Sequence, residues 1–346
     1  MNPPSYPSRL TDEAALDDWM TRPSEALTAF ASTLDGPLVV LGAGGKMGPS
    51  LCVLARRAAE AAGRDLDVVA VSRFSDPTAR DWLETHGVRT VACDLMEGDL
   101  GVLPEAGNVL YLVGLKFGTE RAPARTWAVN TLIPARVCER YAGARLVALS
   151  SGNVYPFVPV ASSGSVETDV LTPLGEYPNA CVARERIFEY AAERHGGSGV
   201  LVRLNYAVDL RYGVLVDLAQ KIAAGEPVDL TMGYLNCIWQ RDANDAVLRS
   251  LALAETPMRP LNLTGTQALP VRTLAERLAE LMGRPVSFVG QEAETALLSD
   301  VSQMVETLGA PEMPLDVVLR WTADWIARDR PTLGKPTRFE VRDGQY

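Results

Sequence analysis

Residues 37–48 read Pro37-Leu38-Val39-Val40-Leu41-Gly42-Ala43-Gly44-Gly45-Lys46-Met47-Gly48, and this stretch decides how the rest of the chain is read. A short apolar run ends in a glycine-rich turn, and a helical pattern over 49–62 follows. Gly42, Gly45 and Gly48 are spaced G-x-x-G-x-x-G. Glycines there permit a tight turn, let backbone approach a ligand closely, and let helix and strand pack together. The helix start then offers free N–H groups and a partial positive charge. The pattern predicts a loop that cradles phosphate, and the plainer alternative is a tight strand-to-helix connection with no ligand.

Outward from this turn the chain alternates. Apolar runs at 66–72, 88–93, 109–114, 146–150 and 200–205 predict strands, with helices at 78–86, 124–141 and 179–194. Strands that are apolar throughout and separated by helices belong in a parallel sheet covered on both faces, the doubly wound α/β arrangement. Residues 11–35 predict two short helices packed outside the domain, with Leu16, Trp19 and Met20 on one face, a break at Pro23 and a cap at Ser24. After Asn205 the elements shorten, with helices at 216–224, 273–282 and 315–328 and strands at 228–230 and 286–289. The polar tail from Pro331 is expected on the surface.

Composition narrows the function classes. The chain of 346 residues is 47% hydrophobic and 22% charged, an ordinary globular balance. It has no apolar run of about eighteen residues, so no membrane span is expected. The Pro- and Ser-rich start over 1–10 does not read as a secretory signal. A net charge of −10 disfavours nucleic acid and anionic lipid as partners. Five cysteines without C-x-x-C spacing suit reduced thiols in the cytoplasm. His86 and His195, the only histidines, each stand near glycine at an apparent helix end, where a cap is the plainer role. No metal site and no Ser-His-Asp triad are expected.

The second strand ends Val71-Ser72-Arg73. An acidic residue at that tip would bond the adenosine ribose hydroxyls of NAD, whereas a small hydroxyl with an arginine suits the 2′-phosphate of NADP. NADP is therefore the expected cofactor and NAD the alternative; Arg73 could also be merely solvated or stacked on adenine. Asp94 and Leu95, after the third strand, are placed to meet the adenine edge.

From Pro37 to about Ile326 the order of landmarks resembles the extended short-chain dehydrogenase/reductases, in particular the NAD-dependent epimerase/dehydratase group. The glycine turn matches. Val109–Glu120, V-L-Y-L-V-G-L-K-F-G-T-E, is similar to the corresponding segment of UDP-galactose 4-epimerases, including Lys116. Asn130 in W-A-V-N-T matches a structural asparagine, and Ser150-Ser151-Gly152-Asn153-Val154-Tyr155 resembles S-S-x-x-V-Y, with Ser151 at the catalytic serine position. Arg203-Leu204-Asn205-Tyr206, Gln240-Arg241-Asp242, Leu261-Asn262-Leu263-Thr264-Gly265 and Asp300-Val301-Ser302 follow in order.

The resemblance implies a Rossmann domain over 37–205, to which 236–264 returns. It also implies a smaller C-terminal substrate-binding lobe from 206–235 and 265–330, with 1–36 as a helical extension and 331–346 as a surface tail. It implies cofactor contacts from Gly42, Gly45, Lys46, Met47, Gly48, Ser72, Arg73, Asp94, Leu95, Val113, Lys116 and Asn130. Substrate would meet Ser151, Asn153, Tyr155, Tyr177 and Asn205, with Tyr177, Ser151 and Lys116 catalytic. Helices matching 124–141 and 179–194 often pair relatives into homodimers. Trp127 and Phe188 could add aromatic contacts there or simply pack in the core.

Two departures stand out. The family's Y-x-x-x-K reads Tyr177-Pro178-Asn179-Ala180-Cys181, so Cys181 replaces the lysine that lowers the tyrosine pKa and holds the nicotinamide ribose. An unassisted phenol with pKa ~10 is only about one part in a thousand ionised at pH 7, a poor base but a usable proton donor. Lys116, at the cofactor edge, is the better-placed substitute cation. Arg184 shares the face of Tyr177 but stands about ten ångströms along the axis. Cys181 reads as a small buried filler rather than a reactive thiol. Second, Gly233–Cys237 and Val289–Ser299 contain no arginine, and the latter holds Glu292 and Glu294, which disfavours a nucleotide-sugar diphosphate. The expected activity is an NAD(P)-dependent oxidoreductase, epimerase or dehydratase on a carbohydrate-like or other hydroxy/keto compound. A catalytically silent cofactor sensor or scaffold is the alternative.

Overall fold

Seven short strands pair in parallel into one sheet: β1 (Leu38–Leu41), β2 (Val68–Ser72), β3 (Arg89–Ala92), β4 (Asn108–Tyr111), β5 (Arg145–Leu149), β6 (Ser198–Leu204) and β7 (Arg259–Leu263). The structure is a computed structural model and describes residues 6–345. Strand order is 3-2-1-4-5-6-7, with Leu38 of β1 facing Val68 on one side and Asn108 on the other. The winding direction reverses between β1 and β4, which opens a crevice at their carboxyl ends, where ligands bind in such sheets. Every residue of β1 is fully buried, as expected for a strand with helices over both faces.

The helices are α1 (Glu13–Met20), α2 (Glu25–Ala31), α3 (Gly48–Ala61), α4 (Pro77–Thr85), α5 (Pro123–Arg140), α6 (Glu176–His195), α7 (Val214–Ala224), α8 (Gln240–Arg249), α9 (Val271–Met282), α10 (Ser302–Leu308) and α11 (Leu315–Ala327). Leu27, Leu51, Leu54 and Val247 from α2, α3 and α8 cover one face of the sheet. Ile133, Val137 and Phe188 from α5 and α6 cover the other. A second core gathers Leu218, Leu278, Trp321 and Trp325 from α7, α9 and α11. Strand β7, read in the sequence only as a landmark, closes the sheet beside β6.

The N-terminal helices are not an outer layer. Capped by Asp12 and Ser24, they give Leu16 and Met20 to the second core and Leu27 and Ala31 to the first, so the extension ties the two cores together. Its first five residues and Tyr346 lie outside the described residues. The tail also departs from a plain surface course, because Thr337 and Phe339 are buried. Its Thr337 amide and hydroxyl both donate to Asp217, at 2.8 and 2.5 Å. Val341 packs on Val154, Tyr155, Tyr177 and Cys181, and Gly344 lies against Gly175. His86 caps α4 and His195 ends α6 before Gly196, which has φ +72°. All five cysteines are buried and unpaired. Among the described residues no helix is long and apolar enough to cross a membrane, and no group of three His, Cys, Asp or Glu could hold a metal.

Candidate active site

The turn after β1 is shaped by what its glycines lack. Gly42 has φ +84°, and a Cβ there would come within 2.9 Å of Val113 Cγ2. A Cβ on Gly44 would sit 2.6 Å from Ser72 Oγ, and one on Gly48 would sit 2.3 Å from the Ala43 carbonyl oxygen. The Gly42 and Ala43 amides donate to the Val71 carbonyl, which pins the turn to β2. Helix α3 starts at Gly48 with no side-chain cap, so its first N–H groups face the crevice without a side-chain acceptor. These features fit a dinucleotide pyrophosphate laid over the turn.

Cations gather at the same place. Lys46 Nζ lies 3.2 Å from the Tyr212 ring centroid, and burial plus repulsion from Lys335 and Lys116 pushes its pKa down to about 7. Burial holds Lys116 down at about 8, opposed by Cys181 and Asp217. Three of the chain's four lysines thus converge on the turn of a protein with net charge −10. Lys335 comes from the tail, 289 positions beyond Lys46 by subtraction, so spacing could not have predicted it.

The other expected cofactor residues divide. Ser72 faces Gly44, while Arg73 is exposed. The Asp94 carboxylate accepts the Met96 amide at 2.8 Å, so it shapes its own loop, and Leu95 is buried. Arg136 of α5 donates to the Leu95 and Gly98 carbonyls and clamps that loop. Asn130 is fully buried, donates to the Leu115 carbonyl at 3.2 Å and accepts from Arg184 at 3.1 Å; it supports the cofactor edge from behind.

Around the expected catalytic position, Ser151 lies two residues past β5 and Tyr177 sits in the first turn of α6. The Tyr177 hydroxyl is hydrogen-bonded with Ser151 and with Cys181. Burial, and then the neighbouring thiol, push the Tyr177 pKa well above the usual phenol range. Ser151 Oγ also accepts the Asn153 amide at 3.2 Å. Tyr155 is committed elsewhere: its hydroxyl donates to Asn262 at 2.8 Å and accepts from Arg203 at 2.7 Å. Arg203 pairs with Glu185 at 2.8 Å, both nearly inaccessible, and Ser150 bonds the same carboxylate. Asn205 is 2% exposed, donates to Ser299 at 3.0 Å and packs against Gly152, so it braces the pocket wall from outside the cavity.

Arg184 makes its contacts one turn nearer the start of α6 than its own backbone position. Helical side chains lean toward the N-terminus, and the Arg184 guanidinium reaches back one turn. Its Nη2 donates to Cys181 Sγ at 3.3 Å, and its Nη1 donates to the Val113 carbonyl at 3.0 Å. A cavity of about 140 Å³ is lined by Asn153, Tyr155, Phe157, Pro178, Arg342 and Gly344 among others, so it is bounded by chain neighbours of Ser151 and Tyr177 and not by those two side chains. Arg342, from the tail, stacks 4.2 Å from the Phe157 ring centroid and donates to the Thr295 carbonyl at 2.8 Å. The pocket therefore does hold an arginine, though from neither Gly233–Cys237 nor Val289–Ser299. Phe188 is core, edge-on to Tyr111 at 5.0 Å, whereas Trp127 is part-exposed and donates to Glu176.

The model of the NAD dependent epimerase/dehydratase family matches residues 38–233, more than half of the chain. No curated protein matches the chain by sequence. Among solved structures, MoeE5 in complex with UDP-glucose and NAD is 23% identical, with TM-score 0.69, over 85% of this chain and 99% of that one. UDP-glucose 4-epimerase with UDP-glucose from Thermotoga maritima is 18% identical, with TM-score 0.69 and coverage of 85% and 99%. The dTDP-glucose 4,6-dehydratase from Bacillus anthracis in complex with NAD is 13% identical, with TM-score 0.71 and coverage of 85% and 97%. At these identities the likeness is one of fold.

Proposed function

This chain belongs to the NAD-dependent epimerase/dehydratase family of short-chain dehydrogenase/reductase-type enzymes, and we propose that it works mainly in the reducing direction on a small hydroxy/keto compound. The observation that carries this reading is the buried Tyr177, hydrogen-bonded with Ser151 and followed in the chain by Pro178, which lines the small cavity. A phenol held above its usual pKa is a weak base at neutral pH but keeps a proton to give. Ser151 would hold the carbonyl oxygen while Tyr177 protonates it. The bound cofactor supplies the hydride for the carbonyl carbon. Lys116 faces the nicotinamide end, and Lys46, Met47 and the three glycines hold the pyrophosphate.

NAD is the preferred cofactor in this proposal, since two of the solved neighbours named above, MoeE5 and the dTDP-glucose 4,6-dehydratase, are in complex with NAD. The Ser72-Arg73 tip is the feature that would admit NADP instead. The expectation against a nucleotide sugar loses its main support, because Arg342 supplies the pocket with a guanidinium. A carbohydrate-like substrate with an anionic substituent suits that side chain, and the class includes the UDP-glucose of two of the solved neighbours. Exposed Trp127, Leu132 and Tyr190 on α5 and α6 support a second copy pairing there.

The test is parallel fluorescence titration with NADH and NADPH, followed by a carbonyl panel scored by loss of the reduced cofactor. Tyr177→Phe should cut turnover by about a hundredfold or more while leaving cofactor affinity unchanged. An unchanged rate would remove the assigned acid. Cofactor binding with no turnover across the whole panel would favour the silent sensor or scaffold.

A further inference from the structure

We propose that Arg184 is the positioning residue of Tyr177, delivering through the Cys181 thiol the positive charge that a lysine at 181 would have carried. The inference rests on the catalytic role proposed for Tyr177.

Three side chains stack along one side of α6. Tyr177 and Cys181 are one turn apart and hydrogen-bonded, and Arg184 returns from the next turn to donate to the same sulfur at 3.3 Å. Arg184 is 3% exposed and forms no ion pair with a carboxylate among the described residues. The nearest acid in sequence, Glu185, is taken by Arg203. The remaining partners of Arg184, the Val113 carbonyl and the Asn130 side chain, are neutral, and its Nε–H has none. Its full charge therefore acts on what surrounds it, and a guanidinium cannot shed that charge by deprotonating.

The surroundings are shaped for it. A Cβ on Gly114 would come within 3.0 Å of Arg184 Nη1, so glycine at the end of the β4 segment leaves room for the guanidinium. Cys181 is small enough to let the arginine through. A lysine at 181 would place an ammonium against the guanidinium, and two buried like charges disfavour each other. The cluster thus holds its buried cation at 184 and a small thiol at 181. When Tyr177 gives up its proton, the phenolate oxygen keeps the Ser151 and Cys181 contacts with a fixed cation behind the sulfur. The other groups that face this cluster are Tyr111 from β4, Glu185 on the same helix, and Lys116. Lys116, unlike Arg184, is poised to lose its charge near pH 8.

The experiment reads the phenol directly, in the unliganded protein, so it does not depend on finding a substrate. Tyr177 is replaced site-specifically by a polyfluorinated tyrosine, whose phenol is intrinsically more acidic, and its ionisation is followed by fluorine NMR against pH. In Arg184→Met the apparent pKa should rise by about one unit or more, a tenfold loss of phenolate at fixed pH. Arg184→Lys should retain most of the wild-type value, and Lys116→Met should move it less than Arg184→Met does. The double variant Cys181→Lys/Arg184→Ala, which keeps one buried cation in the cluster, should restore the wild-type value, whereas Cys181→Lys alone should not fold as well. Circular dichroism checks folding in each case. No shift in Arg184→Met, or an equal or larger one in Lys116→Met, overturns the proposal. If Arg184→Met does not fold, the double variant decides, and a phenol still raised by about a unit there refutes it. A normal Arg184 effect with Tyr177→Phe fully active would instead refute the catalytic reading while leaving the electrostatic link intact.

Discussion

Affinity for the dinucleotide should weaken steeply as pH rises from about 7 to 9, because the lysines that gather at the glycine turn lose their protons over that range in the free protein. Free Lys46 titrates at about 7, held down by burial and by Lys335 and Lys116, and free Lys116 at about 8, held down by burial. A pyrophosphate laid on the turn brings two negative charges, which favour the protonated ammonium and lift both values toward the ordinary ~10.4. The sign follows. Above pH 7 the complex holds a proton that the free protein has released, so binding takes up protons and Kd rises with pH. For Lys46 alone the weakening from pH 7 to 9 is roughly fiftyfold, and Lys116 adds about tenfold if the two act independently. NADH is the better ligand for this assay, because the 2′-phosphate of NADPH has its own ionisation near ~6. Fluorescence titrations at four pH values give Kd, and calorimetry in two buffers of different ionisation enthalpy counts the protons. Lys46→Met should bind more weakly at pH 7 and flatten the profile. A Kd constant within about twofold across the range, or proton release on binding, would refute the reasoning.

Two stability predictions accompany it. Glu185→Gln leaves Arg203 buried without its carboxylate and should cost about 3–5 kcal/mol in urea unfolding; a loss under about 1 kcal/mol would show that the pair is dispensable. Phe339→Ala should cost about 3 kcal/mol by the same measurement, since the ring is 2% exposed in the second core. A negligible loss there would mean that the tail is not seated as the structure has it.

The sheet and the glycine turn were legible in the sequence because both are local. Alternating apolar runs and helical periods arise from neighbours in the chain, and glycine spacing records where backbone must pass backbone, as at Gly42 and Gly48. Most element boundaries fall within about two residues of those expected, for example α7 at Val214–Ala224 against 216–224. The catalytic surroundings were only half legible. Tyr177 and Ser151 do meet, yet Tyr155 and Asn205 turn their polar groups into the wall, where Arg203 and Ser299 claim them. Counting helical rise gave the spacing of Arg184 from Tyr177 but not the reach of its side chain, which leans back to Cys181.

What the sequence determined by itself is the doubly wound fold, the place of the glycine turn after β1 and the absence of lysine at 181. These depend on residue type at short spacing. Only the tertiary structure decided which charges replace that lysine and line the pocket. Arg184 arrives by side-chain direction, and Lys335 and Arg342 arrive on a tail without periodicity, anchored at Asp217 and Thr295. Those contacts join residues far apart in the chain, and their energy comes from shared burial, which no local pattern records.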